Sequence, residues 1–140
     1  DTVVLLCLKL INHYQQLEAI PKMVDLLKHK NLTIRSLVIQ VLAKMEAEMV
    51  EEDLFTIYEH QPLEIKLNIL EAFGKIGSGN YLRFLVSESD AADFKIRLQA
   101  LCAMKDHGPG GRELLDGLYL SENTQNKSII RHVLDERIKA

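Results

Sequence analysis

The sequence predicts an all-α fold: an α-α superhelix of two-helix units stacked at a 31-residue period. Three observations carry that prediction. First, TIRSLVIQVLAKM (33–45), EIKLNILEAFGKI (64–76) and KIRLQALCAMKDH (95–107) write one amphipathic helix three times at that spacing. Second, the composition is rich in Leu, Ile, Ala, Glu and Lys, with only three prolines in 140 residues, which favours helix. Third, Gly77 and Gly108 stand in step after two of the repeated helices, where a left-handed residue can close a helix end.

Helices are expected near 2–15, 17–29, 32–47, 50–60, 63–76, 80–88, 93–106, 111–120 and 125–138. In the first, Val3, Cys7, Leu10, Ile11 and Tyr14 fall on one helical face, which puts Cys7 in the core as inert packing. The second carries Pro21 early, where a missing N–H costs little. The third repeats the face as Ile34, Val38, Val41, Leu42 and Met45. Before the fourth runs EAEMVEED (46–53), expected to be a solvated turn and an acidic helix start that suits the dipole. The fifth opens after Pro62 and carries Ile65, Ile69, Ala72, Phe73 and Ile76. The seventh carries Ile96, Ala100, Ala103 and Met104, with His107 the only polar entry, at the core edge. GSG (77–79) and GPGG (108–111) are tight helix–helix connections.

A second apolar column, Leu8, Ile39, Leu70 and Leu101, widens the stripe, so these helices are expected to be covered on two sides. The intervening helices repeat too, through Met23, Leu54 and Leu85, and through Leu27 and Tyr58. Leu32, Leu63 and Phe94 form another series. The last unit drifts: Ile130, Arg131, Leu134 and Ile138 match the pattern, but Ile96 to Ile130 is 34 residues, with SENTQN (121–126) absorbing the excess. A two-helix unit of this size cannot bury both faces alone, and stacked copies share a continuous core.

ILEAFGKIGSGNYLRFLV (69–86) resembles the HEAT-like repeat, in the short variety first associated with phycobilisome lyases. Gly74–Gly77 (GKIG) and the pairs Ile34-Arg35, Ile65-Lys66 and Ile96-Arg97 carry the likeness. It extends over nearly the whole chain, about four and a half units in a single domain, 1–140. The resemblance implies a right-handed solenoid, with the trailing helices (the repeated set above) lining a concave side. It also implies a scaffold that binds other proteins along that curved surface.

Composition limits the function classes. A net charge of −3 and the absence of Trp argue against nucleic acid as the main partner. Two cysteines are too few for a disulfide framework and favour reduced thiols, a weak pointer to the cytoplasm. The longest apolar stretch, VVLLCLKLI from Val3, is broken by Lys9 and is far short of the ~20 residues of a membrane span. The chain opens in mid-pattern, and the expectation is a piece of a longer or processed protein.

Five residue sets are candidates for chemistry. Arg35, Lys66 and Arg97 form a basic ladder, which Arg131 can extend. One reading is a positive stripe for an acidic partner or phosphates. The favoured reading is structural: an arginine that ties adjacent units through a residue four positions earlier, as Asn31 before Arg35 and Asp93 before Arg97 in the family's usual pattern. The outward columns are Lys9, Gln40, Glu71 and Cys102, and His13, Lys44, Lys75 and Asp106. Gln40, Lys44, Glu71, Lys75, Cys102 and Asp106 are the candidate partner surface, with a merely solvated surface as the competing reading. Cys102 has no sequence signal for a lowered pKa. His29 and His60 stand near the ends of leading helices, where they can cap carbonyls. His132 with Asp135 and Glu136 is a weak metal candidate, and no H-x-x-x-H or C-x-x-C spacing occurs. No catalytic set and no cofactor is expected.

The expected function is therefore a non-enzymatic interaction scaffold or spacer that binds a protein partner on its concave face. The alternatives are a subunit of a repeat-built enzyme such as a bilin lyase, and, behind it, a nucleic-acid-binding solenoid like the repeat-built alkylpurine glycosylases. The His-Glu pairs of repeat-built deoxyhypusine hydroxylases do not occur, since His60 is followed by Gln61. Oligomeric state is left open by the sequence.

Overall fold

The computed structural model describes residues 2–14, 17–45, 47–120 and 126–135. Among these residues the chain is all-α and contains no strand. Nine α-helices are found there: α1 (Thr2–Tyr14), α2 (Ile20–Leu26), α3 (Leu32–Lys44), α4 (Glu51–Tyr58), α5 (Leu63–Ile76), α6 (Leu82–Glu88), α7 (Phe94–Asp106), α8 (Pro109–Leu120) and α9 (Lys127–Asp135). Short 3-10 turns, Leu17–Ala19 and Glu48–Val50, lead into α2 and α4.

Local signals set the ends of the longer helices. Asn31 Oδ1 accepts hydrogen bonds from the N–H groups of Thr33 (2.9 Å) and Ile34 (3.3 Å) at the start of α3. Asp93 Oδ1 does the same for Lys95 (2.8 Å) and Ile96 (3.3 Å) at the start of α7. Each such cap contributes about 1 kcal/mol, because it satisfies N–H groups that have no partner within the helix. Pro62 is the extended residue before α5 (ψ 162°), and Gly77 closes that helix in the left-handed region (φ 64°), its N–H donating to Phe73 O at 3.1 Å.

The helices pack in a regular order. α1 lies against α3, α3 against α5, α5 against α7 and α7 against α9. Each even helix lies against the odd helix that follows it: α2 on α3, α4 on α5, α6 on α7 and α8 on α9, with α8 also against α7. Leu8, Ile39, Leu70 and Leu101 are all buried, between successive odd helices. Ile34, Val38, Val41 and Leu42 on α3, Ile65, Ile69, Ala72 and Phe73 on α5, and Ile96, Ala100, Ala103 and Met104 on α7 are buried as well. Met23, Leu54 and Leu85 face them from α2, α4 and α6. Leu32 and Phe94 are exposed, at the first residues of their helices.

Small residues let α5 and α7 approach closely. A Cβ on Gly74 would stand 2.8 Å from Ala103 Cα, too near for any side chain without a backbone shift. Between α4, α5 and α6 the space is filled by rings. Phe73 is stacked on Tyr81 (centroids 4.7 Å apart, 6° between planes), and Phe84 meets Phe55, Tyr58 and Phe73 edge to face. Such ring pairs contribute about 0.5–1.5 kcal/mol beyond the area they bury.

The first helix departs from expectation. Val3, Leu10 and Tyr14 are exposed, and Cys7 is exposed rather than in the core. The reason is local: no helix among the described residues covers that side of α1, whereas α2, α4 and α6 cover the matching side of α3, α5 and α7. The helix expected at 111–120 begins earlier, at Pro109, because proline is tolerated in the first turn. Expectations that fall on Gln125, Glu136 and Ile138 lie outside the described residues.

Candidate functional site

The outward columns of the odd helices lie partly within one depression. Gln40 and Lys44 of α3 and Glu71 and Lys75 of α5 line it together with Leu37 and with Asn12 of α1, around a volume of about 450 Å³. Helix geometry explains the grouping: residues four apart share a face, and α3 and α5 lie side by side. Lys75 Nζ and Glu71 Oε1 form an ion pair at 2.8 Å. Because both side chains are open to solvent, the pair contributes about 0.3–0.5 kcal/mol, and it leaves the depression with mixed charge.

The α7 members of the set stand apart. Cys102 is half-buried and packs against the core from its edge. Asp106 is exposed and lines a separate depression with Lys105, Pro109 and Arg112. Lys9 and His13 of α1 are exposed.

The ladder cations are engaged within the molecule. Arg35 Nη1 donates to Gln61 Oε1 (2.5 Å), linking α3 to the turn before α5. Arg97 Nη1 donates to the carbonyls of Ala91 (3.0 Å) and Ala92 (3.1 Å), and its guanidinium lies 5.6 Å from the Phe94 ring centroid. Lys66 Nζ lies 5.3 Å from the centroid of the Tyr58 ring. Tyr58 in turn donates its hydroxyl to Glu88 Oε2 at 2.7 Å, and burial, with that carboxylate second, pushes its phenol well above the ordinary range. Asn31 and Asp93 use their side-chain oxygens as helix caps.

A polar cluster that was expected to be a solvated turn is partly internal. Glu51, the first residue of α4, is 2% exposed and accepts a hydrogen bond from Ser78 Oγ at 2.6 Å. Asn80 Nδ2 donates to Glu48 Oε1 at 3.3 Å, so the turn after α5 is fastened to the start of α4 twice. Around these residues lies an open depression of about 720 Å³, lined by Glu48, Met49, Glu51, Glu52, Asn80 and Tyr81. Desolvation raises the Glu51 pKa above its ordinary 4.5; the Ser78 hydrogen bond opposes this and the neighbouring Glu48 carboxylate adds to it. Desolvation, then the carboxylates of Glu51, Glu52 and Asp53, raises the Tyr81 phenol.

The sign of the Glu51 shift makes a prediction. A carboxyl whose pKa is higher in the folded state binds more protons there than in the unfolded chain. Its contribution to stability therefore falls as pH rises from 4.5 through the folded-state value. Glu51→Gln keeps a carbonyl acceptor for Ser78 and removes the charge. Its thermal midpoint is expected to exceed that of the parent at pH 7, and the difference to shrink as pH is lowered toward 4.5, followed by circular dichroism.

The histidines take varied roles. His29 Nδ1 accepts from the Asn31 N–H at 3.0 Å, so this nitrogen is an acceptor at the turn rather than a donor to a helix-end carbonyl. His60 is exposed. Half-buried His107 sits at the core edge beside Gly79, and neither ring nitrogen has a hydrogen-bond partner. His132 is exposed, while the Asp135 side chain and Glu136 lie outside the described residues. Among the described residues no group of three or more His, Cys, Asp or Glu is placed to hold a metal ion. No helix there is long and apolar enough to cross a membrane.

The described residues thus define an all-helical protein of packed helices, compatible with the helical-repeat class. Comparison with protein-family models finds no match, and comparison with curated proteins finds none either.

Proposed function

We propose that the chain is a short HEAT-like repeat protein, an α-α superhelix with a 31-residue period, that acts without catalysis as a scaffold for a protein partner. The observation that carries this reading is the packing order. α3, α5 and α7 begin at Leu32, Leu63 and Phe94 and lie side by side, each backed by a shorter helix. Stacking of that kind turns equivalent outward positions into rows on one surface. Gln40, Lys44, Glu71 and Lys75 share a depression, and Cys102 and Asp106 hold the matching sequence positions on α7, outside that depression. On this reading the rows are the concave, partner-binding surface. Arg35, Lys66 and Arg97 have a structural role at the junctions between units, which agrees with their engagement by Gln61, Tyr58 and the 91–92 carbonyls.

The test is affinity capture from native lysate with the parent chain and with a Gln40→Ala, Glu71→Ala, Cys102→Ala variant. One stoichiometric partner is expected for the parent, with binding reduced at least about tenfold in the variant, which corresponds to about 1.4 kcal/mol over three contact residues. The variant is expected to keep its helical content and thermal midpoint within a few degrees. Undiminished binding by a folded variant refutes the assignment of the surface.

A further inference from the structure

Charge is divided unevenly over the described helices. Glu48, Glu51, Glu52, Asp53 and Glu59 fall in and around α4, and no lysine or arginine occurs between Lys44 and Lys66. The outward columns of α1, α3 and α5 are the reverse. They hold Lys9, His13, Gln40, Lys44, Glu71 and Lys75, with Glu71 the single carboxylate. Glu71 stands two residues from both Ile69 and Phe73, about 200° around α5 from these buried positions. The outward columns are therefore separated from the acidic α4 by the body of the odd helices.

In the depression between α3 and α5 the charges do not cancel. Two lysines stand there against one glutamate, in a chain whose net charge is −3. Lys75 is paired with Glu71 at 2.8 Å, whereas exposed Lys44 makes no ion pair among the described residues. Leu37 and Val41 give the same depression an apolar part. Lys9, on the neighbouring α1, is exposed as well. The ladder cations offer no such charge, since Arg35 is held by Gln61 and Arg97 by the 91–92 carbonyls.

We infer that the partner segment bound on this surface is acidic: an extended stretch of protein that sets a carboxylate against Lys44, a second toward Lys9, and an aliphatic side chain against Leu37. The inference rests on the proposed function and names the chemistry of its partner. Neighbouring helices pack about 8–10 Å apart and an extended chain advances about 3.3 Å per residue, so carboxylates three residues apart reach successive helices. The Lys75–Glu71 pair stays intact beside the segment, and Glu71 accepts main-chain N–H groups from it. The basic columns draw an acidic segment to this side, and the carboxylates around α4 turn it away from the other.

The probe is an acetylated peptide of three Ser-Leu-Glu repeats, which offers a carboxylate in any register, with a Ser-Leu-Gln peptide of equal length as control. The isotopically labelled chain is titrated with each, and binding is read from its backbone amide shifts. Shifts are expected around Gln40, Lys44 and Glu71 with the acidic peptide and not with the control. The dissociation constant is expected to rise about tenfold in Lys44→Glu, where attraction becomes repulsion, and by less in Lys44→Ala. It is also expected to rise with salt, as the screening length falls from about 30 Å at about 0.01 M to about 8 Å at about 0.15 M. No shift at millimolar peptide overturns the inference. So do shifts that the control reproduces, or shifts confined to α8 and α9 around Lys127 and Arg131. Equal binding of a single-stranded oligodeoxynucleotide of the same charge at the same amides overturns it too, because the surface then selects negative charge of any origin. Partner capture with the Gln40→Ala, Glu71→Ala, Cys102→Ala variant is scored separately. Capture that needs those residues but is indifferent to Lys44→Glu leaves the surface standing and removes the acidic segment.

Discussion

Gly111→Ala is expected to cost about 3 kcal/mol of folding stability, the upper end of what overpacking a close helix contact produces. Gly111 lies in the first turn of α8, where the chain doubles back from α7. A Cβ there would stand 1.9 Å from the carbonyl oxygen of Met104 and 2.8 Å from its carbonyl carbon. Both atoms belong to the backbone of α7, so no rotamer change relieves the clash, and the two helices must separate. The control is Gly117→Ala in the same helix, where a Cβ meets nothing within 4 Å. There alanine is expected to stabilise by about 0.5–1 kcal/mol through helix propensity. Urea unfolding of the two variants reads opposite signs from the same substitution. Equal and small effects would mean that α7 and α8 do not meet as described.

Phe73→Ala is the second large effect, expected at about 3–5 kcal/mol, the usual cost of removing a buried phenyl ring. Phe73 is 2% exposed and joins the ring cluster of α4, α5 and α6 through Tyr81 and Phe84. Its removal leaves Tyr81 without a stacking partner and Phe84 without one of its edge contacts. The chain has no tryptophan, so its near-ultraviolet circular dichroism is expected to come chiefly from its four tyrosines, of which Tyr58 is buried and Tyr81 is stacked on Phe73. That signal is expected to weaken in Phe73→Ala even where the far-ultraviolet helical signal persists. A loss below about 1 kcal/mol with an unchanged tyrosine signal would contradict the cluster, since a buried ring seldom leaves so little behind.

Much of the fold is legible in the sequence, because helices write their buried face at a period close to 3.6 residues. The fifth helix is expected at 63–76 and is found at Leu63–Ile76. The Leu8, Ile39, Leu70 and Leu101 column and the Met23, Leu54 and Leu85 column both mark the core. Helix starts are less clear. Residues 17–19 and residue 50, expected as the first residues of α-helices, lie in 3-10 turns, a distinction that depends on one hydrogen-bond step rather than on residue type.

What the sequence leaves hidden depends on contacts between distant segments. Glu51 sits in a run of acidic residues, and its neighbours Glu52 and Asp53 are solvated as such a run suggests. Only the return of Ser78, 27 positions later, makes it an internal acceptor. Gly74 and Gly111 are plain glycines of a turn motif by sequence, yet each is a point where another helix backbone arrives. Cys7 falls in the core column by periodicity, yet it is exposed, because no helix among the described residues covers that side of α1. In the candidate surface, periodicity places Gln40, Lys44, Glu71 and Lys75 on one side. It does not separate them from Asp106, which the turn into α8 draws into a different depression.

The central claim is that a protein partner binds along α3, α5 and α7. Hydrogen exchange of the captured complex, compared with the free chain, tests it most directly. The account predicts added protection in the peptides that contain Gln40, Glu71 and Cys102, with little change across α4 and α6 around Phe55 and Arg83. Protection confined to α4 and α6, with the α3–α5–α7 peptides exchanging as in the free chain, would contradict it.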